Sequence, residues 1–113
     1  MAESSIAERV VNARMDAYNA HDLDAFMALY SDEIEIFTYP NVSLGGGLDH
    51  LRGLFEPLFR SGSCSVEIVD QIVMGDHVIS DERVTIDEIT KRYVSIYRVV
   101  GELISTVRFV REE

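Results

Sequence analysis

Cysteine, proline and tryptophan are almost missing from this chain, and positive charge is scarce. The 113 residues include one cysteine, two prolines and no tryptophan. A lone Cys64 excludes a disulfide framework within the chain, and no second Cys or His stands near it at metal-ligand spacing. It reads as a small, partly buried side chain. Ten basic residues face twenty acidic ones, a net charge of −10. Such a surface repels phosphate backbones and anionic bilayers, so neither nucleic acid nor a membrane is expected as a partner. No run approaches the roughly 20 apolar residues of a membrane helix, and Met1–Ser5 is not a basic segment leading into an apolar one, so the expected location is cytoplasmic. With 47% hydrophobic residues, the chain reads as one domain, residues 1–113, able to bury a core without covalent staples.

Helices come first. From Ser4 or Ser5 to Ala20, Ile6, Val10, Ala13 and Ala17 trace one helical stripe, with Glu8 near the first turn. Asp22 can accept from the free amides of a second short helix over 23–30, in which Leu23, Phe26, Met27 and Tyr30 recur at helical spacing. Ile34 to Tyr39 reads as a strand that Pro40 ends, followed by a loop through Gly45-Gly46-Gly47. Leu48, Leu51, Phe55, Leu58 and Phe59 predict a third helix over 48–60, whose last turn Pro57 should loosen. Beyond Ser61-Gly62-Ser63, β-branched and aromatic residues dominate, with turn signals at Gly75-Asp76, Asp87-Glu88 and Gly101-Glu102. Four antiparallel strands are predicted near 64–74, 77–86, 90–100 and 103–111.

The stretch Asn19-Ala20-His21-Asp22-Leu23-Asp24, followed by Ala28-Leu29, Asp32 and the first strand, resembles the nuclear transport factor 2-like, or SnoaL-like, superfamily, and within it the ketosteroid isomerase branch. The resemblance extends over the whole chain. It implies an α+β fold: a cone-shaped, curved antiparallel sheet with three N-terminal helices packed on its concave face (a cystatin-like roll) around a pocket. It also implies three site positions, which align with Arg14 for the isomerase's tyrosine, Thr38 for its aspartate base and Ser95 for its protonated aspartic acid. Threonine does not abstract a carbon acid's proton at neutral pH unaided, and serine is a weaker oxyanion donor than a neutral carboxylic acid. Steroid isomerisation by the usual residues is therefore not expected.

The aligned positions still set a parity, because strand side chains alternate between faces. Ile34 and Ile36 share the face of Thr38, and Tyr93, Tyr97 and Val99 that of Ser95. If Asp87-Glu88 is a two-residue turn, Ser80 lies opposite Ser95 and Glu82 opposite Tyr93, and Glu82 and Val84 face the cavity. Glu82 is then the candidate acid-base residue, since burial among Ile, Val and Tyr raises a carboxyl pKa. The alternative is that a bulge shifts the register by one and Glu82 pairs with Arg83, Arg92 or Arg98 on the outer face. Tyr18, Ile36, Tyr39, Phe55, Ser80, Tyr93 and Tyr97 complete the expected pocket lining with Arg14, Thr38 and Ser95, the tyrosines giving an apolar face and one orienting hydroxyl each. Arg14 either presents a fixed cation to a carboxylate or enolate, or pairs with Glu35 or another surface acid.

His21, His50 and His77 show no ligand spacing, so neither metal nor cofactor is expected. The glycine triplet is not followed by Lys-Ser or Lys-Thr and reads as a flexible cover over the pocket. Two functions remain. One is a cofactor-independent isomerase, cyclase or hydratase acting on a small apolar or polyketide-like molecule; the other is a non-catalytic ligand-binding or dimerisation module. Val94, Ile96 and Arg98 on the outer sheet face suggest a homodimer.

Overall fold

The computed structural model describes residues 5–111. Helix α1 (Ile6–Ala20) starts at Ser5, whose Oγ accepts from the Glu8 amide at 3.0 Å, so one of the unpaired amides of the first turn is satisfied. It ends at His21 in the left-handed region (φ 55°). Nε2 of the half-buried His21 lies 2.7 Å from the Cys64 carbonyl oxygen. Asp22 caps α2 (Leu23–Met27) through the Ala25 amide at 3.1 Å. The second helix is therefore shorter than the periodicity predicts. Tyr30 already belongs to β1 (Tyr30–Thr38), where it pairs with Ile104.

The predicted loop before the third helix is instead the edge strand β2 (Val42–Gly46), paired antiparallel with β1. Its glycines allow close approach: a Cβ on Gly46 would sit 2.8 Å from the Ile34 carbonyl oxygen, and one on Gly45 2.5 Å from the His50 ring. Gly45 and Gly46 are thus anchored sheet, and Gly47, whose amide donates to the Ile34 carbonyl at 2.8 Å, is the N-cap of the third helix, so the triplet is not a flexible cover. Helix α3 (Leu48–Ser61) follows, with Pro57 carried inside it and Gly62 closing it at φ 70°. Strands β3 (Cys64–Met74), β4 (His77–Ile86), β5 (Ile89–Val100) and β6 (Leu103–Arg111) form the meander the turn signals predict.

All six strands form one sheet in the order β2-β1-β6-β5-β4-β3. Neighbours are antiparallel except β1 and β6, which run parallel, so the sheet is mixed where a purely antiparallel one was expected. The third helix follows β1 and β2 and so is not N-terminal to the sheet. Irregular register between Ile68 and Asp70 and between Arg98 and Val99 adds local twist. Otherwise the expected α+β roll is what the chain forms. Val78, Tyr97, Val99, Ile104, Val107, Ile34 and Ile36 on the inner face are buried against Val11, Met15 and Tyr18 of α1, Phe26 of α2, and Leu51 and Phe59 of α3. Asn19 ties the end of α1 to the edge strand β3, its side chain donating to the Val66 carbonyl at 2.9 Å and accepting from the Val66 amide at 2.7 Å.

Candidate functional site

The β4–β5 hairpin decides what faces inward. Asp87 and Glu88 both have positive φ (51° and 69°), the conformation of a two-residue hairpin turn that follows the strand twist. Counting back from it, Ser80 opposes Ser95 and Glu82 opposes Tyr93, the register the turn predicts. Glu82 therefore points inward and is 2% exposed. Its outer-face alternatives have other partners: Arg83 and Arg92 bind Asp81, and Arg98 binds Asp76.

Two hydroxyls hold the Glu82 carboxylate. Ser95 Oγ donates to Oε1 at 3.1 Å and Tyr97 Oη to Oε2 at 2.8 Å, both from β5. Burial pushes the Glu82 pKa above the ordinary carboxyl range, while the Arg14 charge and the two hydroxyl donors pull against it without cancelling it.

Arg14, on the inner face of α1, is 4% exposed and sits among aromatic rings, its guanidinium carbon 5.1 Å from the Phe26 centroid, 5.3 Å from Tyr18 and 5.5 Å from Tyr97. Nε donates to Tyr30 Oη at 3.0 Å and Nη1 to Met15 Sδ at 3.3 Å. A surface ion pair with Glu35 does not form. Burial by itself would lower the pKa of this guanidinium, but Tyr30, Tyr97 and Glu82 more than offset that and keep it protonated. Nη2 donates to no protein atom among the described residues. Arg14 lines a void on this side of the sheet.

That void is a cavity of about 210 Å³ between α1, α3 and the inner sheet face. Of the residues expected to line it, Arg14, Tyr18, Phe55, Glu82 and Tyr93 do. Six do not. Ile36 is consumed by the core. Thr38 lies at the end of β1 beside Arg111, and its β6 partner Phe109 lines the cavity instead. Tyr39 is 55% exposed, just past the strand. Ser80 is sealed, its Oγ accepting from Gln71 Nε2 at 3.1 Å. Ser95 and Tyr97 stand behind Glu82 and act on the cavity through its carboxylate. The remaining wall is apolar: Leu58, Val66, Val84, Ile86 and Phe109, with Leu44 and Arg111 at exposed positions. Parity along β3 and β6, read from Val66 opposite Val84 and Phe109 opposite Ser95, is the signal that would have found part of it. Among the described residues, no group of three or more His, Cys, Asp or Glu side chains could hold a metal ion.

With this geometry in place, comparison with known proteins assigns the family. The model of the SnoaL-like domain matches residues 11–107. The chain belongs to the SnoaL-like family. No curated protein sequence matches it. Solved structures share the SnoaL-like frame at low identity. An uncharacterised cystatin-fold protein from Novosphingobium aromaticivorans is 24% identical, with a TM-score of 0.82 over 96% of this chain and 100% of that one. A candidate ketosteroid isomerase from Kribbella flavida is 14% identical, with a TM-score of 0.76 over 96% and 78%. A computationally designed 17-OHP binder is 16% identical, with a TM-score of 0.83 over 97% and 93%. At these identities the likeness is one of fold. No helix among its described residues is long and apolar enough to cross a membrane.

Proposed function

We propose that the cavity binds a small, largely apolar molecule carrying a carbonyl oxygen, and that Glu82 moves a proton on it without a cofactor, as an isomerase, cyclase or hydratase would. One observation carries this reading: a buried carboxylate, fixed by Ser95 and Tyr97, borders an apolar cavity that Arg14 also lines, with Nη2 the guanidinium nitrogen that neither Tyr30 nor Met15 engages. Glu82 takes a proton from carbon next to the carbonyl. The released electron pair moves onto the oxygen, where Nη2 donates a charge-assisted hydrogen bond, and Glu82 returns the proton to a second carbon. Only one corner of the guanidinium is available, because Nε and Nη1 are engaged by Tyr30 and Met15, which suits a single oxygen better than a two-pronged carboxylate. Thr38, at the position of the family's base, lies outside the cavity, so steroid isomerisation by the usual residues is not part of this reading.

The test begins with mass spectrometry of small molecules that co-purify with the intact protein, followed by turnover of the molecule found. Glu82→Gln should keep the fold and the ligand and abolish turnover; unimpaired turnover removes Glu82 from the mechanism. A non-catalytic binding module is the second reading. It is favoured by the complete pairing of both Glu82 oxygens, which would serve equally to seat a polar group in a purely binding site. Ligand retention with no turnover by either protein would select it.

A homodimer belongs to the same reading. Ile72, Ile79 and Ile96 form an apolar row across the outer sheet face, beside Val94 and Val110, and Ile72 is 58% exposed. A cytoplasmic setting is consistent with the free thiol of Cys64.

A further inference from the structure

Positive charge, scarce in this chain, gathers at one place. A surface crevice of about 760 Å³ is lined by Arg83, Lys91, Arg92 and Arg111, four of the ten basic residues and the only lysine. None of the described residues lining it is acidic. It adjoins the cavity, because Tyr93 and Arg111 border both.

This arrangement works against the sheet's own stability. Arg83 stands directly opposite Arg92 in the β4–β5 ladder, and like charges in that relation repel. Asp81 relieves part of the conflict, accepting from Arg83 Nη1 at 2.6 Å and from Arg92 Nε and Nη2 at 3.1 and 3.2 Å. Those hydrogen bonds, Arg92 first, hold the Asp81 carboxyl below its usual pKa and keep it charged. Asp81 is thus shared by two of the four cations, in a molecule of net charge −10. A local rule broken in this way, beside a candidate site, points to a bound anion.

The other polar groups agree. Thr38, Tyr39 and Thr90 add hydroxyls to the guanidinium and ammonium donors. Clustered cations with hydroxyls suit the dense charge and several oxygens of a phosphate better than a lone carboxylate. We propose that the crevice binds the phosphate-bearing end of the ligand whose apolar end fills the cavity, so the substrate class is a phosphate ester of a small apolar molecule. This rests on the cavity being a ligand site. The overall negative charge that repels nucleic-acid backbones then serves selection: a compact anion reaches the cationic step, whereas an extended polyanion must also lie against acidic surface.

The experiment is calorimetric titration of the intact protein with 2-naphthol and with 2-naphthyl phosphate at rising NaCl. The phosphate ester should bind about tenfold or more tightly than the alcohol at low salt, and that advantage should shrink as salt rises. Lys91→Glu, an exposed change outside the cavity wall, should remove most of the advantage and leave 2-naphthol affinity within about twofold. Equal affinities of the wild-type protein for the two probes, or an advantage insensitive to both salt and Lys91→Glu, would overturn the crevice assignment while the cavity reading stands. Failure of 2-naphthol to bind at all would overturn both.

Discussion

Glu82 is a carboxyl whose surroundings favour its proton. Burial raises its pKa despite Arg14, Tyr97 and Ser95, so over a window starting near the unfolded value of about 4.3 the native state holds a proton that the unfolded chain has lost. Native stability measured against Glu82→Gln should therefore fall as pH rises through that window and level off above the native pKa. Urea unfolding of both proteins at several pH values measures this, and a difference that grows with pH would mean that the ionised form is the one stabilised. The same shift predicts that turnover rises with pH as Glu82 ionises, on a limb displaced upward from that of an exposed carboxylate. Asn19 offers a second test at this scale. Its side chain completes two backbone hydrogen bonds of Val66, so Asn19→Ala should cost roughly 1–3 kcal/mol in chemical unfolding, with little effect on ligand affinity because Asn19 does not line the cavity. The family-like motif that Asn19 opens is thus, at this residue, a structural splice. Glu82's inward direction was one of two that alternation and one turn left open, and the register of the β4–β5 ladder chose it. Arg14's surroundings were not, because its partner Tyr30 continues the apolar spacing of the second helix and only pairing with Ile104 shows it to be strand.

The hairpin joining β4 and β5 carries the site's register at a backbone cost. Glu88 holds φ 69°, a region that L residues with a Cβ enter at about 1–2 kcal/mol. Glu88→Gly should relieve that strain, partly offset by greater freedom in the unfolded chain, for a net gain of up to about 1 kcal/mol. Thermal unfolding checks it, and a clear loss would mean that the Glu88 side chain contributes contacts that outweigh the strain. Turns and caps of this kind were readable because a few adjacent residues settle them: Ser5, Asp22 and the Asp87-Glu88 pair all act where their chemistry predicts. β2 was not readable. Val42–Gly46 alternates only over Val42-Ser43-Leu44, too short a run to read as a strand, and its extended form comes from hydrogen bonds to β1 and from glycines that let the two backbones meet.

At the scale of the molecule, one sheet face is covered by helices and the other presents the row Ile72, Ile79 and Ile96. Sedimentation equilibrium should give a dimer at micromolar concentration, and Ile96→Glu should shift it toward monomer, since a charge buried between two sheets lacks a partner there. A monomeric wild-type protein would refute the dimer. What the amino-acid order determined unaided was the sequence of helices and hairpins, the two directions open to Glu82, and the scarcity of positive charge, because alternation, capping and turn chemistry act over a few neighbouring residues. The tertiary structure decided the parallel joining of β1 to β6, the replacement of Thr38 by Phe109 in the wall, the cavity between Arg14 and Glu82, and the gathering of four cations at its edge. Each of these depends on segments distant along the chain meeting at one place, and no local pattern encodes the distance between side chains that only the closed sheet brings together.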